Sequence, residues 1–215
     1  MKAVKVASIP TTDVERPRLA ELAPGLVVVA VLLGAMWALE VVDLVPGTPF
    51  DRWGVRPRTA RGLLGIAAAP FLHVSFAHLI ANTIPFAVLG AVVALSSVKQ
   101  FVEITVTIVV VSGLGTWLFG TGGTIHLGAS GLVFGYLTYL IARGFFAAKP
   151  LWILGGIVIG LLYGGLLWGL LPRPGISFTG HLFGAVGGLL AAFALHGKHT
   201  REEELADGQR PRISP

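Results

Sequence analysis

The chain has 215 residues, 54% hydrophobic and 13% charged, with 29 Gly, 13 Pro and no Cys. Soluble domains carry about a quarter charged residues, so this composition, with a mean hydropathy of +0.79, excludes an ordinary soluble domain. The missing Cys exclude a disulfide scaffold, a thiolate metal site and a cysteine nucleophile. A net charge of +5 does not make a nucleic-acid surface here, because the basic residues sit in tails and in loops between apolar runs, where they fix membrane orientation.

In chain order, residues 1–24 read as a polar tail. Lys2, Lys5, Arg16 and Arg18 mix with Asp13, Glu15 and Glu21, and Pro10 and Pro17 oppose a helix. The first apolar run, Leu26–Val45, starts too far into the chain and is too long for a secretory h-region. A long connection, residues 46–76, carries Arg52, Arg56, Arg58 and Arg61, read as contacts to lipid phosphates. A connection of this length is expected to have structure of its own. Its apolar stretch Leu63–Phe71 is too short to cross a bilayer and is expected to lie in the interface or dip partway in. Five more runs follow: Ala77–Leu95, Val102–Phe119, Ala129–Ala147, Leu151–Leu171 and Ile176–Leu195. Each approaches the roughly 20 apolar residues that a spanning helix needs. Residues 198–215 form a second polar tail, with Glu202, Glu203 and Glu204 among Lys and Arg, and are read as irregular and solvated. The expected fold is all-α: a six-helix membrane domain over residues 25–197 between two polar tails. No repeat of 20–50 residues appears, so an inverted-repeat transporter is unsupported.

Six spans put both tails on one side. Eleven of the 16 Lys and Arg then share that side and five lie opposite. The positive-inside rule makes the tail side cytoplasmic, and the composition suggests a bacterial inner membrane. The lipid bilayer is thus one expected partner, and oligomeric state is left open.

Ionisable and strongly polar side chains are costly in hydrocarbon, so each asks for a reason. No Asp or Glu lies between Glu103 and Glu202, so the last three spans hold no carboxylate. They hold Ser130 at the start of the fourth span and His181 near the start of the sixth. The second span begins with His73, His78 and Asn82. These three spans enter the membrane from the same side, so the topology alone gathers these groups at one depth. His78 and Asn82, at i and i+4, share a helix face. His181, Gly184 and Gly188 form a stripe, and Gly128, Ala129, Gly131 and Gly135 surround Ser130. Small residues let membrane helices approach closely, so the sixth span is expected to pack on the fourth and bring His181 to Ser130.

Those residue types permit acyl transfer. A serine hydroxyl needs a base to take its proton, and neutral imidazole can accept it. Asn82, His78 and the backbone N–H of Ser130 at a helix start are suitable donors to a developing oxyanion. Without a membrane carboxylate the arrangement is a dyad. Plain structural roles are available too: Ser130 as a packing hydroxyl, His78 and Asn82 as helix glue, Ser75 as a cap, Gly184 and Gly188 as packing residues. His126 reads as a loop histidine with no chemical role, and Glu40 and Asp43 as interface charges. There is no H-E-x-x-H and no Walker A motif, and Leu132 spoils a G-x-S-x-G elbow at Ser130. His73, His78, His126 and His181 have no carboxylate or Cys partner, so no metal and no cofactor is expected.

Three motifs together resemble the rhomboid family of intramembrane serine proteases. His73-Val-Ser-Phe-Ala-His78-Leu-Ile-Ala-Asn82 resembles the family's H-x-x-x-x-H-x-x-x-N. Gly128-Ala129-Ser130-Gly131 resembles its G-x-S-G. His181-Leu-Phe-Gly184-Ala-Val-Gly187-Gly188 resembles its H-x-x-G-x-x-x-G. The resemblance covers about residues 25–197. It implies that Ser130 is the nucleophile and His181 the base, that His78, Asn82 and the Ser130 backbone stabilise the oxyanion, that Gly128 shapes the turn and that His73 supports the long connection. It implies substrates that are single transmembrane segments, cut near the outer face, with the fifth span and its loop as gate, and no cofactor. Two positions depart from the family pattern. The Trp-Arg pair common in the long connection is replaced by Leu64 and Gly65, so anchoring must differ. The Tyr common four residues after the nucleophile is Phe134, which can still stack on the histidine. The alternative function is a non-catalytic rhomboid-like protein that binds transmembrane clients; a small transporter using the polar groups as a path is a third reading.

Overall fold

A computed structural model describes residues 19–45, 50–173 and 175–208. Seven α-helices run through them: α1 Leu19–Asp43, α2 Ala60–Ala68, α3 Phe76–Ala94, α4 Val98–Phe119, α5 Ser130–Ala147, α6 Pro150–Tyr163 and α7 Phe178–Gly208. Three 3₁₀ turns, Phe50–Trp53, Ala69–Phe71 and Gly164–Leu170, complete the helical elements. Among the described residues the β pairing is one isolated antiparallel bridge, Val55 to His126. Among the described residues, six segments are long and apolar enough to cross a bilayer: Ala23–Asp43, Phe76–Ala94, Val98–Phe119, Ser130–Ala147, Pro150–Leu170 and Phe178–Gly197. The all-α, six-span bundle read from hydropathy is the observed architecture, with span ends displaced by a few residues.

Serine caps start several helices. Ser75 and Ser97 are in extended backbone, and their hydroxyls accept the N–H of His78 at 3.3 Å and of Gln100 at 3.1 Å. Each satisfies a donor that the first helical turn leaves unpaired. Ser75 is therefore the cap expected of it.

The connection between α1 and α3 is built around the short apolar segment Ala60–Phe71, which packs beside α4. Its anchoring solves the problem posed by Leu64 and Gly65. Arg58, with φ +57°, donates Nη1 to the carbonyls of Leu118 at 3.0 Å and Gly120 at 2.9 Å. A cation there meets the unpaired carbonyls that end α4. Trp117 Nε1 donates to the Thr59 carbonyl at 2.8 Å. Gly65 lies against the backbone of Trp53 and Gly54, where a Cβ would collide with their carbonyls. Arg61 sits over the Trp53 ring at 4.8 Å. Arg58 and Arg61 thus have protein partners, where the sequence reading gave them lipid phosphates.

The centre of the bundle is packed by Tyr136, Tyr139, Phe86, Phe101, Leu89, Ile104 and Ile108, all fully buried. Tyr136 is accommodated by a 2.7 Å hydrogen bond between its hydroxyl and Thr105 Oγ1, as a buried phenol requires.

Several features differ from the sequence reading. The fifth span is not one α-helix: α6 stops at Tyr163 and tightens into the 3₁₀ turn Gly164–Leu170, where Gly164, Gly165 and Gly169 weaken α propensity. Residues 198–208, expected to be irregular, continue α7 to Gly208. No Pro falls within residues 198–208, and Glu202, Glu203, Glu204, Leu205 and Ala206 are good helix formers. Glu40, expected at the interface, is a buried residue. Of the tail expected to be irregular over residues 1–24, residues 19–24 form the first turns of α1, since the opposing Pro10 and Pro17 come before it, and residues 1–18 lie outside the described residues.

Candidate active site

α5 and α7 approach through glycine. A Cβ at Gly184 would collide with the Gly131 carbonyl, and one at Gly188 with the Gly135 carbonyl. Thr138 Oγ1 donates across the same interface to the Ala185 carbonyl at 2.8 Å. Only residues without side chains let two helix backbones come this close. The predicted stripe on α7 is the contact surface, and it brings the first turns of both helices together.

The consequence is a hydrogen bond of 2.9 Å between Ser130 Oγ and His181 Nε2. The other ring nitrogen settles its direction. His181 Nδ1 lies 2.8 Å from the Gly169 carbonyl, and a carbonyl can only accept. Nδ1 therefore carries the proton, Nε2 of the neutral ring offers its lone pair, and Ser130 Oγ donates to it. Gly169, in the 3₁₀ turn after α6, fixes the tautomer as a carboxylate does in a triad. Phe134 lies flat on the imidazole, with centroids 4.3 Å apart and planes 14° apart. The stack and the carbonyl hold the ring on two sides.

The donors expected for an oxyanion lie on the same cavity. Its volume is about 790 Å³, and its lining includes His78, Asn82, Ser130, Phe134, Gly169 and His181. Asn82 Nδ2 gives one proton to the His78 carbonyl at 2.9 Å, which leaves its second N–H available. The first intrahelical bond at the head of α5 runs from Val133 N to the Ala129 carbonyl, so the N–H groups of Ser130, Gly131 and Leu132 precede the ladder. Gly128 is in a conformation that favours glycine, φ +113°, and a Cβ there would lie 2.6 Å from His78 Cε1. Its role as turn-shaper therefore has two causes, backbone angle and contact with His78.

His73 does not line the cavity. It is buried, its ring packs edge-on to His78 at 5.0 Å, and its Nε2 accepts the Ala129 N–H at 3.3 Å. Burial, with the neighbouring His78, holds its pKa down to about 4, so it is a neutral acceptor supporting the residue before Ser130. Behind Ser130 a smaller space of about 40 Å³ is lined in part by Ser112, Thr116, His126 and Ser177. Its lining offers several polar groups, and it is large enough to admit water.

Of the described residues lining the large cavity, none is a carboxylate and Arg173 is the one with a formal charge. Glu40 and Asp43 do not line it; Asp43 accepts the Phe50 N–H at 2.8 Å. Nearby Asp51 is raised above the usual carboxylate range by burial and then by Asp43. No group of three or more His, Asp or Glu among the described residues could hold a metal.

Sequence reasoning missed Gly169 and Ser177. Gly169 acts through its backbone carbonyl, for which no side chain gives a signal. Ser177 accepts the Gly180 N–H at 3.2 Å at the head of α7, and a serine just before an apolar run is a readable cap.

A family model described as a Rhomboid domain matches residues 60–198. Uncharacterized proteins of Mycobacterium tuberculosis and Mycobacterium bovis are each 39% identical to the chain over 206 residues, covering 91% of this chain and 85% of the relative. An uncharacterized protein of Mycobacterium leprae is 35% identical over 200 residues, covering 88% of this chain and 79% of its own.

Proposed function

The chain belongs to the rhomboid family of integral membrane proteins, and from that premise we propose that it is an intramembrane serine endopeptidase acting through Ser130 and His181. One observation carries the reading: Ser130 Oγ is 2.9 Å from a His181 Nε2 whose tautomer is fixed by the Gly169 carbonyl. A packing serine would not need a neutral imidazole aimed at its hydroxyl and oriented from behind.

In this reading Ser130 Oγ attacks the carbonyl carbon of a scissile peptide as its proton passes to His181 Nε2. The carbonyl oxygen becomes an oxyanion facing the Ser130 N–H, the free N–H of Asn82 and the His78 ring. Collapse breaks the C–N bond, and His181 returns the proton to the leaving amine. Water then attacks the Ser130 ester while His181 takes its proton, and Ser130 leaves with that proton restored. The imidazolium formed midway donates through Nδ1 to the Gly169 carbonyl, which stabilises it without accepting the proton. Phe134 keeps the ring in plane throughout.

The substrates are single transmembrane segments entering from the bilayer, with α6 and its 3₁₀ turn as gate. The cavity belongs to the outer face of a bacterial cytoplasmic membrane, with both termini cytoplasmic, as the distribution of Lys and Arg supports. The test is cleavage of a transmembrane substrate co-reconstituted in liposomes. Wild type should cut it, and Ser130→Ala and His181→Ala should not while remaining folded. Cleavage by either variant at the wild-type rate would exclude that residue from the dyad.

A further inference from the structure

His126 has a hydrogen bond on both ring nitrogens and on both backbone groups, yet the acyl-transfer chemistry of Ser130 and His181 does not use it. We propose that His126 is a positioning residue: with Ser177 it forms a crossbar that sets the approach of Ser130 to His181. The proposal rests on the serine-protease reading of that pair.

Its backbone is fastened first. His126 N–H donates to the Val55 carbonyl at 2.9 Å, and its carbonyl accepts the Val55 N–H at 2.8 Å. The ring is fastened next. Nε2 lies 2.8 Å from Thr124 Oγ1, and Nδ1 lies 2.7 Å from Ser177 Oγ. The proton count assigns each bond a direction. Thr124 has one hydroxyl proton, and the Thr121 carbonyl 2.6 Å away takes it. Thr124 Oγ1 must then accept, so His126 carries its proton on Nε2. Nδ1 of the neutral ring accepts the Ser177 hydroxyl proton, and Ser177 Oγ in turn accepts the Gly180 N–H. The chain of bonds runs in one sense from a backbone donor in α7 to a backbone acceptor in the α4–α5 loop. Burial lowers the His126 pKa from its ordinary value, in keeping with the neutral ring that the bonding requires.

The crossbar stands at a defined place relative to the dyad. Both His126–Ser177 and Ser130–His181 join residues 51 apart in sequence. The catalytic bond therefore repeats the crossbar four residues further along both segments. Ser177 heads α7, and the His181 N–H is bonded to its carbonyl at 3.1 Å. On the α4 side, Ser112 Oγ donates to the Gly180 carbonyl at 2.9 Å. Cutting the crossbar leaves α7 tied to α4 but untied from the loop that leads into Ser130. A misplacement of about 1 Å between reacting groups costs on the order of 100-fold in rate, while a single hydrogen bond adds little to the stability of a bundle.

The experiment measures the rate constant for covalent labelling of Ser130 by a small fluorophosphonate, alongside histidine ¹⁵N NMR of the same samples in detergent. His126→Leu and Ser177→Ala should each slow labelling, by about 10- to 100-fold. The double variant should be no slower than the slower single one, because both remove the same bond. His126→Asn, which keeps an acceptor at the Nδ1 position, and Ser177→Thr, which keeps the hydroxyl, should retain most of the wild-type rate. NMR should place the His126 proton on Nε2, and Ser177→Ala should move the Nδ1 signal. Wild-type rates in His126→Leu and Ser177→Ala, losses that multiply in the double variant, or a proton on Nδ1 would each overturn the crossbar. If His126→Leu does not fold, Ser177→Ala removes only one oxygen and carries the test. Wild-type protein that never labels would count against the serine-protease reading, and the tautomer would still judge the crossbar.

Discussion

The two walls that meet at His181 are built differently. In the α5 span, 56% of the residues are buried within the protein, whereas in the span containing α6 and its 3₁₀ turn the figure is 6%. α5 and α7 touch backbone to backbone through Gly131, Gly135, Gly184 and Gly188, and Thr138 and Ser112 tie α7 to its neighbours. α6 instead turns Leu151, at 75% exposure, and Leu161, at 81%, away from the bundle. The 3₁₀ turn that follows it reaches the His181 ring with one carbonyl, that of Gly169. Ser130 and His181 are thus brought together by the rigid wall, while the His181 tautomer is held from the looser one. A wall with few buried contacts is where local opening is cheapest. Opening there would release His181 from the Gly169 carbonyl without moving Ser130.

This contrast gives a graded set of expectations. The largest effect belongs to the rigid wall. Gly188→Leu places a side chain where the Gly135 carbonyl lies, and relaxation would have to separate two helices. Thermal unfolding in detergent should show a large loss of stability, and activity should vanish with it. The loose wall should respond in rate more than in stability. A Cβ at Gly169 would lie 2.8 Å from Phe134 Cζ and 3.4 Å from His181 Nδ1. Gly169→Val should therefore push the 3₁₀ turn from the base, lowering kcat by about 10- to 100-fold with a small shift in Tm. If Gly169→Val instead unfolded the protein as Gly188→Leu does, the two walls would not differ as described.

Asn82→Ala tests a group on neither wall. Loss of one oxyanion donor costs about 10²–10³ in rate, and kcat should fall within that range while KM holds. A full wild-type kcat would leave the oxyanion to Ser130 N–H and His78.

The smallest effect concerns acid stability. The folded chain holds His73 at about 4 against the ordinary 6.5, so between these values the unfolded chain binds the additional proton. The stability contributed by neutral His73 is complete above pH 6.5 and is lost as pH falls towards 4. Tm should decline over that window. His73→Gln, which keeps an acceptor for the Ala129 N–H, should flatten the decline. An unchanged slope would assign the acid sensitivity to other groups.

What could be read from the residues divides along the same line. The rigid wall was legible, because hydropathy marks spans and glycine spacing marks a helix–helix contact, so Ser130 and His181 could be paired before any coordinates. Ser75 was legible as a cap, since a hydroxyl before an apolar run has few other uses. The loose wall was not. Gly169 works through its carbonyl, and the change from α to 3₁₀ depends on how three glycines meet the bundle. Arg58 gave no sign of capping α4, because its partners are carbonyls about 60 residues away in the chain. The continuation of α7 past residue 197 was hidden by charge, which marks the end of a membrane span but not of a helix.

The central claim is that His181, held by Gly169, activates Ser130. The most direct measurement is peptide mapping by mass spectrometry after fluorophosphonate treatment of the purified protein in lipid bilayers. Wild type should carry a single adduct on Ser130, and His181→Ala should carry none. Folded wild-type protein without an adduct, or an adduct that forms equally well without His181, would contradict it.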